Sequence, residues 1–361
     1  MISQKNLNQI ISGHMLKYPK SQALDILKLI YQNEFGCGHL VTDEAQCLQM
    51  LLDECSTVSE KGGSLFEPIG NGYSRINLSA AKKEQIPMEL IARLFYLSAK
   101  RQGGSVDGFL EKTEAVKELF VQNAFPFAVS EVESFIAEWK NSGCKAFSHS
   151  NTYRENYRPS YRVIQSKYED IFALMCDIAN KSKNNNITAA IDGRCGSGKT
   201  TLAAELKEVF DCNIISADDF FLPMNLRTAE RLAEAGGNIH YERFIDEVVS
   251  SLKSGNPIGT IDPIEYGVFD CSTMTISHTK RIHPKPVTII EGVYSLHPAF
   301  GDIYDVKIFC DVDTELQKAR IIARNGSEMY MKFESMWIPM EEKYFEASNV
   351  KARCDYVYAP Q

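Results

Sequence analysis

Eight consecutive residues, Gly193-Arg194-Cys195-Gly196-Ser197-Gly198-Lys199-Thr200, put three glycines in a short span and follow them with a lysine and a hydroxyl residue. That order suits a cradle for phosphate. Glycines let successive N–H groups curl toward one anion, and the start of a following helix adds positive potential. In such a loop the backbone from Gly193 through Thr201 surrounds the phosphates and Lys199 reaches the β- and γ-phosphates. The Thr200 hydroxyl takes one position on Mg²⁺. The chemistry implied is that of a nucleoside triphosphate, with ATP and Mg²⁺ as cofactors.

Further groups suited to phosphoryl chemistry follow in the chain. Asp218 and Asp219 stand one residue beyond the strand-like run Asn213-Ile214-Ile215-Ser216, and Glu291 directly after Val287-Thr288-Ile289-Ile290. Acids at the carboxyl ends of strands in an open α/β sheet face the ligand crevice. One of Asp218 and Asp219 can face the nucleotide while the other caps the following turn, and Thr200, Glu291 and Asp218 are the candidate metal group. Arg320 and Arg324 are four residues apart, so they share a helical face and suit a clamp on a transferring phosphoryl group. Asp313 stands where it can cap that helix.

These groups need a frame, and the flanking pattern supplies one. Ile187-Thr188-Ala189-Ala190-Ile191 is an apolar run of the kind buried on both faces in a parallel sheet. After the loop, Leu202, Leu206, Val209 and Phe210 mark one face of a helix that begins at Lys199 or Thr200. Val306-Lys307-Ile308-Phe309-Cys310-Asp311-Val312 reads as a fourth strand. The expected fold is α/β, a doubly wound parallel sheet, with a separate, mainly helical N-terminal domain. The boundary is expected near residue 160, giving domains 1–160 and 161–361.

The order of phosphate loop, Ser216-Ala217-Asp218-Asp219-Phe220-Phe221, Glu291-Gly292-Val293-Tyr294, then Arg320 and Arg324 resembles the uridine kinase, phosphoribulokinase and pantothenate kinase group of P-loop kinases. The resemblance covers about residues 165 to 361. It implies that Asp218 deprotonates the substrate hydroxyl. It also implies that the stretch from Leu226 to Phe244 is a substrate-side insertion, with His240, Tyr241 and Arg243 in the acceptor pocket. Asp219, Phe221, Arg227 and Tyr266 complete the expected substrate residues. Two departures stand out: Tyr266 is followed by Gly267, with the acid Glu265 before it, and the segment after Arg324 carries no further basic residues up to Tyr330. Lid closure then falls to Arg320 and Arg324, and Trp337 to Phe345 is expected to pack against base or substrate.

Two classes of function stay open at this point. One is an ATP-dependent kinase acting on a hydroxyl of a nucleoside-like or sugar-like acceptor, with a phosphorylated sugar or pantothenate-like alcohol as variants. Arg227 and Arg231 would suit an anionic acceptor. The other is a nucleotide-gated sensor in which the phosphate-loop half controls ligand binding by the N-terminal half.

Composition narrows the setting. The 361 residues carry a formal charge of −8, which disfavours non-specific nucleic-acid binding. The start has no signal-peptide pattern and no apolar run reaches membrane-spanning length, so a cytoplasmic protein without membrane or nucleic-acid partners is expected. A homo-oligomer is compatible with the sequence. Ten cysteines without CxxC spacing read as reduced thiols, with Cys195 a spacer in the loop.

In the N-terminal half, residues 21–35 read as an amphipathic helix stopped by Gly36, and a second helix is expected from Ser130 with Glu133 closing a capping box. Three spots stand out there: Gly36-Cys37-Gly38-His39, Glu67-Pro68-Ile69-Gly70-Asn71-Gly72, and residues 148–162, where Tyr-Arg recurs every four residues. The last is read as tyrosine packing between domains, in preference to a surface for a phosphate or planar ligand. His39 and His149 are too isolated to make a metal site.

Overall fold

The structure is a computed structural model that describes all residues except 1–3, 38–40, 42, 102, 123–124, 126, 253–261 and 361. Two compact units divide the chain, Met1–Ala173 and Leu174–Gln361. Among the described residues no helix is long and apolar enough to cross a membrane.

The N-terminal unit is mainly helical and also holds an antiparallel sheet of β1 (Phe66–Gly70), β2 (Tyr73–Asn77) and β3 (Tyr161–Gln165). β3 explains why the boundary lies past 160: it pairs with β2 from Tyr73↔Gln165 to Asn77↔Tyr161, so residues 161–165 belong to the first unit. Asn71 and Gly72, with φ of 54° and 74°, form the turn between β1 and β2. This is the pairing of positive φ values that a tight hairpin needs.

The helix Ala23–Phe35 ends at Gly36, and its residues Leu27, Ile30 and Tyr31 are buried. The later helix is capped two residues earlier than its sequence suggested, at Ala128 and not at Ser130. It spans Val129–Asn141, and Glu131, not Glu133, accepts the Ala128 N–H at 3.0 Å. Glu133 instead pairs with Lys117. Gly38 and His39 lie outside the described residues.

In the C-terminal unit, β4 (Ile187–Gly193), β5 (Cys212–Ser216), β8 (Val287–Glu291), β9 (Val306–Cys310) and β10 (Tyr356–Tyr358) form one parallel sheet in the order β10-β9-β4-β8-β5. β6 (Ile264–Asp270) and β7 (Thr275–Ile282) form a separate antiparallel hairpin. β4 and β8 are buried at every residue, as strands covered on both faces must be. Their register sets the site, with Ile191 and Ser216 both opposite Glu291 and Gly193 opposite Cys310. The carboxyl ends of β4, β5, β8 and β9 therefore finish together at one rim. The helix Lys199–Val209 leaves that rim with Leu202, Leu206 and Val209 buried.

Candidate active site

The phosphate loop leaves β4 at Gly193, whose φ of +136° and surroundings admit no side chain: a Cβ there would lie 2.0 Å from the Cys310 carbonyl oxygen. The loop is built around Asp192, a fully buried carboxylate. Its oxygens accept the N–H groups of Gly193 (2.7 Å), Tyr294 (3.3 Å) and Leu296 (2.9 Å) and the Tyr344 hydroxyl (2.8 Å). Four donors keep a charge tolerable in an apolar interior, although burial still pushes its carboxyl above the usual range.

Beyond this anchor the loop presents donors. Among the described residues, the N–H groups of Gly196 and Gly198 have no acceptor within the protein. Those of Lys199, Thr200 and Thr201 form the open first turn of the helix. The Ser197 hydroxyl is fully buried without a partner. Such a row of aligned, unspent donors fits phosphate. Lys199 Nζ donates to the carbonyls of Gly193 (2.8 Å) and Arg194 (2.9 Å), so its charge rests inside the loop.

A cleft of about 810 Å³ opens above the loop, and Lys199, Thr200, Asp218, Glu291, Arg320 and Arg324 all reach it. Thr200 Oγ1 donates to Glu291 Oε2 at 3.2 Å, and Ser216 Oγ to Glu291 Oε1 at 3.4 Å. Gly292 makes the junction possible: with φ of +136°, a Cβ there would lie 2.8 Å from the Ala217 Cβ. Close packing of Ala217 on Gly292 thus brings the Asp218 turn beside Glu291. Burial, and then the Asp218 charge, push the Glu291 carboxyl above its usual range, against the pull of Lys199. Asp218 opens onto the cleft but is ringed by protein atoms. Its lost hydration and the Asp219 charge push it up as well, while Lys199 and Arg324 oppose this.

The two adjacent acids are treated differently. The Asp219 carboxylate is held by Lys280 Nζ at 2.9 Å, and the buried Tyr266 hydroxyl, raised by burial and by that carboxylate, lies beside it. Among the described residues the Asp218 carboxylate accepts no hydrogen bond, which leaves it for whatever enters the cleft.

The oxygens of Thr200, Ser216 and Glu291 are hard ligands of the kind Mg²⁺ takes. Among the described residues there is no group of three or more His, Cys, Asp or Glu suited to hold a metal. Thr200 and Glu291 could hold an ion that also takes substrate phosphates and water as ligands.

The other expected residues are committed in different ways. The Arg194 side chain turns away from the cleft to Glu342 (2.6 Å) and Asp311. Cys195 is buried, with its thiol pushed up to about 12 by burial, and Gln317 Nε2 donates to its carbonyl at 2.9 Å. Arg320 donates to the carbonyls of Gly196 (3.1 Å) and Pro360 (3.2 Å), whereas the exposed Arg324 bonds its neighbour Asn325. Asp313 caps their helix through the Leu316 N–H at 2.9 Å.

On the substrate side, Phe221 and Arg227 line the cleft, but His240, Tyr241, Arg243 and Tyr266 do not. His240 caps the short helix Tyr241–Phe244. Tyr241 stacks on His297 with centroids 4.8 Å apart and lies under the Arg231 guanidinium. Arg231 is itself spent on Glu242 at 2.7 Å. Arg243 lies 4.2 Å over the Phe220 ring and donates to the Gly267 carbonyl and the Asp219 carbonyl. These residues support the acid-bearing turn from behind. The sequence singled out this segment but could not tell its inner from its outer face.

Glu341, Asn238, Cys271 and Met274 line the cleft instead. The last two come from the turn of the β6–β7 hairpin, whose alternating pattern was the available signal. Glu341 carried none, because its partner, Cys195, is 146 residues away. Trp337 also reaches the cleft, together with Phe333, whose ring it meets edge-on at 4.6 Å.

Sheet, loop and acids together define the C-terminal unit as a P-loop kinase type of fold. No family model matches the chain. The unit resembles uridine kinases. The chain is 28% identical over 169 residues to the uridine kinase of Chlamydia pneumoniae, spanning 43% of this chain and 74% of that protein. To the uridine kinase of Staphylococcus epidermidis it is 26% identical over 181 residues, or 47% of this chain and 86% of that protein. A solved structure described as a possible uridine kinase from Bacillus stearothermophilus aligns over 54% of this chain and all of that one, with 19% identity and a TM-score of 0.41.

Proposed function

We propose that Leu174–Gln361 is an ATP-dependent kinase that transfers a phosphoryl group to a hydroxyl of a nucleoside-like or sugar-like acceptor, with uridine-type nucleosides the first class to test. One observation carries this reading: the unpaired Asp218 carboxylate faces the same cleft as the donor-rich loop and the Thr200–Glu291 pair. The uridine kinases it resembles lend the acceptor class. When bound, ATP supplies the γ-phosphoryl group and Mg²⁺ neutralises its charge.

The residues divide the remaining work. Lys199 and the first-turn N–H groups hold the phosphates, and Thr200 with Glu291 would hold the metal. Asp218 takes the proton of the acceptor hydroxyl, and a carboxyl raised above its usual range suits that task. Arg324, uncommitted to any carboxylate, stabilises charge on the transferred group, while Arg320 fixes the loop through Gly196. Phe221, Asn238 and Arg227 form the acceptor wall.

The experiment is ATP consumption by the full chain against uridine, cytidine, sugar phosphates and pantothenate, with Asp218→Asn alongside. Turnover that requires one acceptor and disappears in the variant supports the kinase. ATP binding or slow hydrolysis that no acceptor accelerates rejects it and favours the nucleotide-gated sensor.

A further inference from the structure

Two of the three N-terminal spots that the kinase reading leaves unused meet at one place. Glu67, from the Glu67–Gly72 stretch, and Tyr153, Tyr157, Arg158 and Tyr161, from the Tyr-Arg run, line a single cavity of about 610 Å³ inside the N-terminal unit. The run does not form one helix. It folds as the helix Asn151–Tyr157, then Arg158 in the left-handed region at φ 45°, Pro159, and β3. That bend turns its tyrosines inward, where they pack within this unit.

The floor is already neutralised. Glu67 is paired with Lys17 and Arg75 and accepts the Tyr18 hydroxyl at 2.9 Å. Burial favours its neutral form, yet His14, Arg75 and Lys17 outweigh this and hold it well below the usual carboxylate range. The other lining carboxylate, Glu54, is taken by Arg162 at 2.8 Å and Ser160 at 2.9 Å. Three cations on the cavity wall, Lys61, Arg154 and Arg158, have no carboxylate partner among the described residues. In a chain of net charge −8, such a surplus of positive charge is a local feature.

The wall beneath these cations is aromatic and rigid. Tyr18, Tyr153 and Tyr157 pack on one another at centroid distances of 4.9 to 5.4 Å. Tyr161 is fixed by a relay. Asp25, buried and held in its charged form by His149 and by N–H donors, accepts from His149 Nδ1 at 2.9 Å. Burial keeps His149 neutral, so its Nε2 accepts the Tyr161 hydroxyl at 2.6 Å. Tyr153 is only 1% exposed, lines the cavity, and has a hydroxyl with no hydrogen-bond partner among the described residues. Its oxygen is not sealed from solvent, so it can donate to a ligand that enters the cavity.

We infer that this cavity is a second, separate ligand site, and that it takes a planar ring compound carrying a phosphate group, the class that includes nucleoside monophosphates. Three unpaired cations match a dianion better than a single carboxylate. The half-buried rings of Tyr18 and Tyr157 line the cavity and give an aromatic wall against which a planar ring can pack, and the volume falls in the range of small-molecule sites. The inference does not depend on the kinase reading, since no residue of the C-terminal unit takes part.

The test is calorimetric titration of the full-length protein with UMP, AMP, uridine and inorganic phosphate. Saturable binding of a nucleotide is expected, at least tenfold tighter than uridine or phosphate alone. Arg154→Ala/Arg158→Ala should weaken it at least tenfold without changing the KM for ATP, and Tyr153→Phe should weaken it severalfold with unchanged melting temperature. Lys199→Ala and Asp218→Asn should leave it intact. The inference is overturned if neither nucleotide binds at millimolar concentration, if the double arginine variant binds as the wild type does, or if phosphate alone binds as tightly as UMP.

Discussion

Glu341 Oε2 accepts the backbone N–H of Cys195 at 2.9 Å, so the phosphate loop is held at one donor by the protein's own carboxylate. Glu341 is 6% exposed, and burial pushes its carboxyl up to about 7 despite the opposing charge of Lys199. The N–H groups of Gly196, Gly198, Lys199, Thr200 and Thr201 stay open to a ligand among the described residues, while this one fixes the loop to the helix Ile338–Ala347.

A carboxyl raised in the folded state binds its proton there at pH values where the unfolded chain has lost it. Stability from this group therefore falls as pH rises from about 4.5 to about 7 and is constant above. Glu341→Gln keeps an acceptor for Cys195 and removes the titration. Relative to wild type it should gain stability across that window, by up to about 3 kcal/mol at pH 8 and by almost nothing at pH 4. Urea denaturation at the two pH values measures the difference, and an equal shift at both would refute the assignment.

Asp218→Asn should leave ATP affinity within about threefold of wild type and lower kcat by roughly 10² to 10⁴. Lys199→Ala should impair both binding and turnover. Because the carboxyls of Asp218 and Glu291 are both raised, the acid limb of the kcat/KM profile should lie above the ordinary carboxylate range, with activity rising as pH increases through it. Stopped-time assays from pH 4.5 to 8 with the best acceptor would reveal a limb at ordinary carboxylate pH if this is wrong.

Thr200→Ala and Glu291→Gln should each raise the Mg²⁺ concentration for half-maximal rate by about tenfold. ATP binding measured in the presence of EDTA should change much less. Equal losses with and without the metal would place these two residues in nucleotide binding alone.

Gly193→Ala should destabilise the C-terminal unit by about 2–4 kcal/mol, because the new methyl meets the Cys310 carbonyl at a φ that other residues avoid. Thermal melting detects this directly, and a neutral effect would mean that β9 gives way easily.

Legibility followed range along the chain. Four of the five strands of the parallel sheet, the phosphate loop, the places of Asp218 and Glu291 and the Asp313 cap were readable because each rests on residue types within a few positions of one another, whereas the three-residue β10 carried too short a pattern. His240, Tyr241 and Arg243 were placed on the wrong side of their segment because helix-start residues and pocket residues draw on the same polar types. Their direction is decided by contacts such as Arg243 on Phe220, 23 positions away in sequence. Glu341 and the N-terminal cavity were illegible in detail for a related reason. Their meaning lies in pairs more than a hundred residues apart, such as His149 with Asp25.

Asp192 bears on how the protein is made. Its partners Tyr294, Leu296 and Tyr344 follow it by 102, 104 and 152 residues. The central strand also waits for β8 and β9, which are translated later. A growing chain therefore carries the whole phosphate-loop motif long before the carboxylate behind it has its partners. Nascent chains released before Tyr344 should contain the motif without a working cradle, so nucleotide binding arises late in synthesis, as a final act of assembly.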